Sequence, residues 1–159
     1  MQALRFETEE IVWQEVPGEV SLAFLCSGCP LRCKGCHSSS TWKAGRGTVL
    51  SEEYLRGRLK QYRGLISCVL FMGGEWHCEL LEGMLRIARE EGLNTCLYTG
   101  LEREELEPAL LPHLTYLKTG RWIAERGGLD NPATNQKFID LRSGANLNHL
   151  FQSPSRRSS

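Results

Sequence analysis

Short apolar runs alternate with helical patterns along this chain, and no other feature constrains its fold as much. The run EVSLAFLC, Glu19 to Cys26, reads as a first buried strand. Ser51 caps a predicted helix with Glu52 and Glu53 in its first turn, where acids suit the positive end of the dipole, reaching about Tyr62. LISCVLFM, Leu65 to Met72, is a second strand, ending in Gly73-Gly74-Glu75. CELLEGMLRIAREEG then places Leu81, Met84, Leu85 and Ala88 on one helical face, with Gly92 as the stop. NTCLYTG forms a third strand, residues from about Glu102 to Leu110 a short helix, LTYLKTG a fourth strand and KFIDL a possible fifth. Such alternation implies parallel strands joined by right-handed crossovers, but eight units typically need about 250 residues. With 159 residues, the expected fold class is α/β, a partial (open) parallel β/α barrel. One domain is expected over residues 1–151, with the polar stretch 152–159 as a disordered tail.

Composition narrows the partners. Nineteen basic residues balance nineteen acidic ones, which removes the electrostatic case for nucleic acid or an anionic membrane. No apolar stretch approaches the roughly 20 residues of a membrane span, and the N-terminus lacks the basic-then-apolar pattern of a signal peptide. A cytoplasmic protein is expected. Seven cysteines, an odd number, fit reduced thiols better than a disulfide framework.

In parallel α/β sheets the loops after the strands' carboxyl ends open on one face, where ligands bind. Four marked loops fall there: the cysteine loop, Gly73-Gly74-Glu75, Thr99-Gly100 and Thr119-Gly120. Each glycine doublet alone suits a plain turn; their shared location is what draws notice. The cysteine loop, SGCPLRCKGCHSSSTW, spaces Cys29, Cys33 and Cys36 as C-x3-C-x2-C. Three thiolates hold a 4Fe-4S cube and leave one iron uncovered, whereas ferredoxin clusters that only pass electrons use four. Zinc and a disulfide are the competing readings. Paired zinc knuckles normally stand about 12 to 20 residues apart, and here only Pro30, Leu31 and Arg32 separate Cys29 from Cys33. Cys26 continues an apolar run and reads as a buried strand residue.

C-x3-C-x2-C after a first strand, with Gly-Gly-Glu after the next, resembles the radical S-adenosylmethionine superfamily. The resemblance implies that Cys29, Cys33 and Cys36 ligate the cluster, and that the open iron chelates S-adenosylmethionine, whose reductive cleavage gives a 5'-deoxyadenosyl radical. It further implies that Gly73, Gly74 and Glu75 meet the methionine ammonium, with Thr99 and Gly100 beside the cofactor and Gly35 and His37 near the adenine. Within the superfamily, Ser40-Thr41-Trp42, LYTG and Asn135-Gln136 resemble the activating proteins of anaerobic ribonucleoside-triphosphate reductase over about residues 18–141. That implies a glycyl-radical subunit as partner and a low-potential electron donor such as flavodoxin or ferredoxin. Another glycyl-radical enzyme, a small heterocyclic substrate and a non-catalytic iron-sulfur or zinc binding module stay open as alternatives.

The chain also departs from the pattern. Trp76 stands where many relatives carry proline, and Lys118 where some activators carry an acid. Other tempting residues have ordinary readings. Cys68 and Cys96 are expected to pack in strands, His77-Cys78 to start a helix, Trp42 to anchor its loop, and His113 and His149 to lack a partner.

Overall fold

In the computed structural model the described residues are 3–27 and 47–152. They form one eight-stranded sheet in the order β3-β1-β2-β4-β5-β6-β7-β8. The strands are β1 (Arg5–Val12), β2 (Ser21–Cys26), β3 (Thr48–Val49), β4 (Cys68–Met72), β5 (Asn94–Tyr98), β6 (Tyr116–Thr119), β7 (Lys137–Asp140) and β8 (Ala145–Asn146). The centre, β2-β4-β5-β6, is parallel. Both flanks are antiparallel: β1 pairs with β2 and β3, and β7 with β6 and β8. The all-parallel expectation is therefore corrected to a mixed α/β sheet flanked by helices.

Helix α1 (Glu52–Gln61) starts where Ser51 Oγ accepts the Tyr54 N–H at 3.0 Å, satisfying one of the free amides of the first turn. Removing that bond in Ser51→Ala should cost about 1 kcal/mol, read as a lower urea midpoint at unchanged slope. Helix α2 (Cys78–Glu90) buries Leu81, Met84, Leu85, Ile87 and Ala88. It ends in a Schellman arrangement: Leu93 N–H donates to Ala88 O and Gly92 N–H to Arg89 O, with Gly92 at φ 80°.

The expected helix from Glu102 to Leu110 does not form. Two 3-10 turns replace it, Arg103–Glu105 and Pro108–His113, with Leu106 extended between them. The Glu102 and Glu105 side chains close a capping box around the first turn, and Pro108 and Pro112 deny the amides a longer helix would need. Leu106 and Leu110 still reach the core, at helix-like spacing without a helix. The second strand is shorter than expected: Leu65 is exposed, and Gly64, at φ 84°, turns the chain before Cys68.

Alternation along the strands splits the core into two layers. Leu22, Phe24, Val69, Phe71, Leu97 and Leu117 pack under the helices, where the Phe24 and Phe71 rings stack at 5.8 Å. Ala23, Cys68, Leu70, Cys96, Tyr116 and Phe138 face the other way, covered by Val12, Val16 and Leu129. Cys68 and Cys96 are core residues, fully buried, with thiols pushed up by that burial.

At the strands' amino ends Glu19 accepts from Ser67 Oγ (2.6 Å), Asn94 Nδ2 (2.8 Å) and Tyr116 OH (2.8 Å), fastening β4, β5 and β6 to the start of β2. Burial and the Glu19 bond push the Tyr116 phenol up to about 12. Arg142 donates to the same phenol oxygen at 3.1 Å and to Asp140, whose carboxyl is lowered by that bond. The carboxyl ends are thus left for the site. Gln152, expected in a disordered tail, donates from Nε2 to Leu129 O at 3.2 Å; the rest of that tail lies outside the described residues. Among the described residues no helix is long and apolar enough to cross a membrane.

Candidate cofactor site

The carboxyl ends of β2, β4, β5 and β6 meet through direct contacts. At the end of β4 the chain turns through Gly73 (φ 93°) and Gly74 (φ 103°), backbone angles that a side chain would strain. Contacts on both sides reinforce that demand. A Cβ on Gly73 would stand 2.6 Å from the Trp76 ring, and one on Gly74 would stand 3.2 Å from Cys26 Sγ and from Leu4 Cδ1. Trp76, the departure noted in the sequence, therefore clamps the turn by lying across its first glycine. Gly73 N–H donates to Tyr98 O at 2.8 Å, and His77 N–H returns to Gly74 O at 3.0 Å, giving a 3-10 turn over Glu75–His77 that leads into α2. The His77-Cys78 pair is a helix start, as expected.

This turn aims Glu75 across the sheet at β5. Thr99 Oγ1 donates to Glu75 Oε1 at 2.6 Å and accepts the Leu101 N–H at 3.1 Å, which fixes the hydroxyl's direction. Among the described residues Glu75 Oε2 is buried with no hydrogen-bond partner. Burial raises the Glu75 carboxyl above its ordinary value, and the Thr99 bond offsets only part of that rise. An ammonium group fits the open oxygen, since a buried carboxylate favours an opposite charge that donates hydrogen bonds. The glycines leave backbone exposed beside it. Gly100 follows Thr99, half-buried in a bend.

The third and fourth loops are tied by Gly120 N–H donating to Leu101 O at 3.0 Å. Beyond Gly120, Gln136 Oε1 and Asn135 Oδ1 are buried acceptors without hydrogen-bond partners among the described residues, as Glu75 Oε2 is. Lys118 lies 4.5 Å over the Tyr98 ring, and the Tyr98 hydroxyl donates to Glu15 O. The structure thus brings Gly73, Gly74, Glu75, Thr99 and Gly100 together. Cys29, Cys33, Gly35, Cys36, His37 and Trp42 lie outside the described residues. Among the described residues no three His, Cys, Asp or Glu side chains group to hold a metal ion. Cys26 is buried at the end of β2, against Gly74, and its thiol is raised far above the ordinary value by burial first and by Glu75 second.

Two features escaped sequence reasoning. The Thr99–Glu75 bond joins residues in the segments that follow two separate strands and needs the register of β4 and β5 to be seen. His113 has a partner after all, with Nε2 3.2 Å from Glu82 Oε2 on α2. No helical signal could show this, because the 3-10 turn carrying His113 packs on α2 only in the folded chain.

Residues 16–132, well over half the chain, match the family described as 4Fe-4S single cluster domain. The chain is 33% identical over 89 residues to the pyruvate formate-lyase-activating enzyme of Clostridium pasteurianum, covering 52% of this chain and 37% of that protein. It is 32% identical over 89 residues to the pyruvate formate-lyase 1-activating enzyme of Escherichia coli K12, covering 52% and 36%. It therefore spans little more than a third of those relatives' length. The anaerobic ribonucleoside-triphosphate reductase-activating protein of Vibrio cholerae is 30% identical over 122 residues, covering 69% of this chain and 78% of that protein. With a site at the carboxyl ends of its parallel strands and these matches, the chain belongs to the 4Fe-4S single cluster domain family, in the radical S-adenosylmethionine activase clade of the pyruvate formate-lyase and ribonucleotide reductase activators.

Proposed function

We propose that this chain, with residues 1–151 as its radical S-adenosylmethionine domain, is an activase that installs a glycyl radical on a partner enzyme. The observation that carries the reading is the buried Glu75 carboxylate, bound through one oxygen by Thr99 and, among the described residues, open at the other, beside the end of the strand from which the cysteine loop departs. Cys29, Cys33 and Cys36 hold a 4Fe-4S cluster in this reading. Gly73, Gly74 and Glu75 receive the methionine ammonium of S-adenosylmethionine, Thr99 and Gly100 flank it, and Gly35 and His37 border the adenine. When bound, cluster and cofactor supply a radical able to take hydrogen from a glycine Cα. The protein's own part is electrostatic and steric: Thr99 orients Glu75, Trp76 clamps the turn, and burial keeps water from competing for the open oxygen.

The partner expected from the cysteine loop is the anaerobic ribonucleoside-triphosphate reductase. The lyase activators match at slightly higher identity and the reductase activator over more of its length, so a pyruvate formate-lyase-type enzyme is an equal reading. Flavodoxin or ferredoxin would supply the electron. The test reconstitutes the protein without oxygen, reduces it, and mixes it with each candidate partner and S-adenosylmethionine. A glycine-centred doublet in the electron paramagnetic resonance spectrum, with release of methionine and 5'-deoxyadenosine, is the expected result. Absence of both products under reduction would overturn the activase reading.

A further inference from the structure

Glu75 Oε2 shares its turn with two more buried polar atoms that have no hydrogen-bond partner among the described residues, Trp76 Nε1 and His77 Nδ1. An indole nitrogen is a donor and nothing else, so Trp76 calls for an acceptor where Glu75 calls for a donor; the His77 ring nitrogen can serve either way. The indole and the carboxylate do not satisfy each other, although they stand on adjacent residues. Buried polar groups are nearly always paired, so an open donor next to an open acceptor needs a reason.

The sheet brings both side chains to one row. The register that pairs Leu25 with Met72 and Met72 with Tyr98 leads, one residue on, to Cys26, Gly73 and Thr99 side by side. Cys26 belongs to the core layer under the helices, and Trp76 packs against that layer. The Trp76 ring covers the middle of the row. A Cβ on Gly73 would stand 2.6 Å from Cη2, 3.2 Å from Cζ3 and 3.6 Å from Cζ2, and Cζ2 is two bonds from Nε1. Glu75 is held at one end of the row by Thr99 Oγ1 at 2.6 Å, and its charge reaches the other end, where it adds to the raising of the Cys26 thiol. Donor and acceptor therefore open beside the same pair of glycines.

That combination selects among ligand groups. A simple ammonium would satisfy Glu75 and leave the indole N–H open, and an anion alone would satisfy the indole while facing the Glu75 carboxylate. An α-amino acid carries an ammonium and a carboxylate on one carbon. When its ammonium meets Glu75, its carboxylate is the nearest acceptor for a donor on the same turn.

We propose that the Trp76 indole N–H binds the carboxylate of the methionine head group of S-adenosylmethionine, so that Glu75 and Trp76 read the two charged ends of that group from one turn. The identity of the ligand rests on the reading above. The probes are S-adenosylmethionine and its decarboxylated analogue, which keeps the ammonium and the sulfonium and lacks the carboxylate. Calorimetric titration of the reconstituted holoprotein without oxygen gives both affinities for the wild type and for Trp76→Phe, which keeps a ring on Gly73 and removes the N–H. Iron content and melting temperature are recorded for each. Trp76→Phe should bind S-adenosylmethionine about tenfold more weakly, the size of a lost hydrogen bond to a charged group, and should bind the analogue as the wild type does. Unchanged S-adenosylmethionine affinity in Trp76→Phe overturns the assignment. So does an equal loss with both ligands, which would leave the indole a role in the turn alone, and so does a loss of iron, which would give its donor to the cluster loop. Glu75→Gln should weaken both ligands, since both carry the ammonium. If it weakens neither while Trp76→Phe behaves as expected, the carboxylate site stands and the ammonium reading falls. A wild type that binds neither ligand overturns both.

Discussion

Alanine in place of any one of Cys29, Cys33 or Cys36 is expected to abolish cluster binding and turnover together, whereas Cys26→Ala should keep most of both. A cube held by three thiolates has no spare protein ligand, so losing one leaves two irons uncovered and the cluster open to loss. Cys26 is close in sequence and could be mistaken for a fourth ligand. Its surroundings argue against that. The side chain is buried at the end of β2, its sulfur lies against the Gly74 turn, and both burial and the nearby Glu75 charge keep the thiol protonated. Metal ligation needs the thiolate, and this site opposes its formation. Iron and sulfide content of the anaerobically reconstituted variants, with S-adenosylmethionine cleavage on the same samples, reads both effects. A Cys26→Ala protein without cluster, beside one of the other three variants that retains it, would reverse the ligand assignment.

How far the fold can be read in the chain depends on where burial is two-sided. β2 and β4 are central strands covered on both faces, so SLAFLC and CVLFM appear as nearly continuous apolar runs, and α2 shows its buried stripe openly. β1 is different. Of RFETEEIV only Phe6 and Val12 are buried, and an irregular register between Phe6 and Thr8 breaks the alternation, so the segment looks like a charged surface stretch. The same lack of signal hides β3 and β8, two residues each and exposed. The antiparallel direction of β7 follows from its register with β6, which composition cannot carry. The candidate site divides in a similar way. Gly73-Gly74-Glu75 is conspicuous because local backbone geometry demands its glycines. The Thr99–Glu75 bond and the Gln136 Nε2 bond to Gly120 O are products of packing between loops far apart in sequence.

Glu75→Ala should weaken S-adenosylmethionine binding by about 1.5 to 3 kcal/mol, the range of a charge-assisted hydrogen bond, while iron and the brown colour stay. The isosteric Glu75→Gln separates charge from shape through its pH dependence. In the unliganded protein burial raises the Glu75 carboxyl above its value in the unfolded chain. The folded state then binds that proton more tightly, so the contribution of Glu75 to stability is full below the ordinary carboxylate range and is lost as pH rises through the raised value. Unliganded Glu75→Gln should accordingly melt higher than the wild type at neutral pH, with the gap closing as pH falls through that window. Cofactor affinity must run the opposite way. An ammonium requires the ionised carboxylate, so wild-type binding should weaken as pH falls through the raised value, and the Gln variant should bind weakly throughout without that dependence. Melting curves of the unliganded proteins and calorimetric titration of the cluster-loaded proteins with S-adenosylmethionine measure the two arms separately. A Gln variant that binds like the wild type, with the same pH profile, would show that the cofactor's ammonium does not meet this carboxylate, and the open oxygen of Glu75 would need another donor.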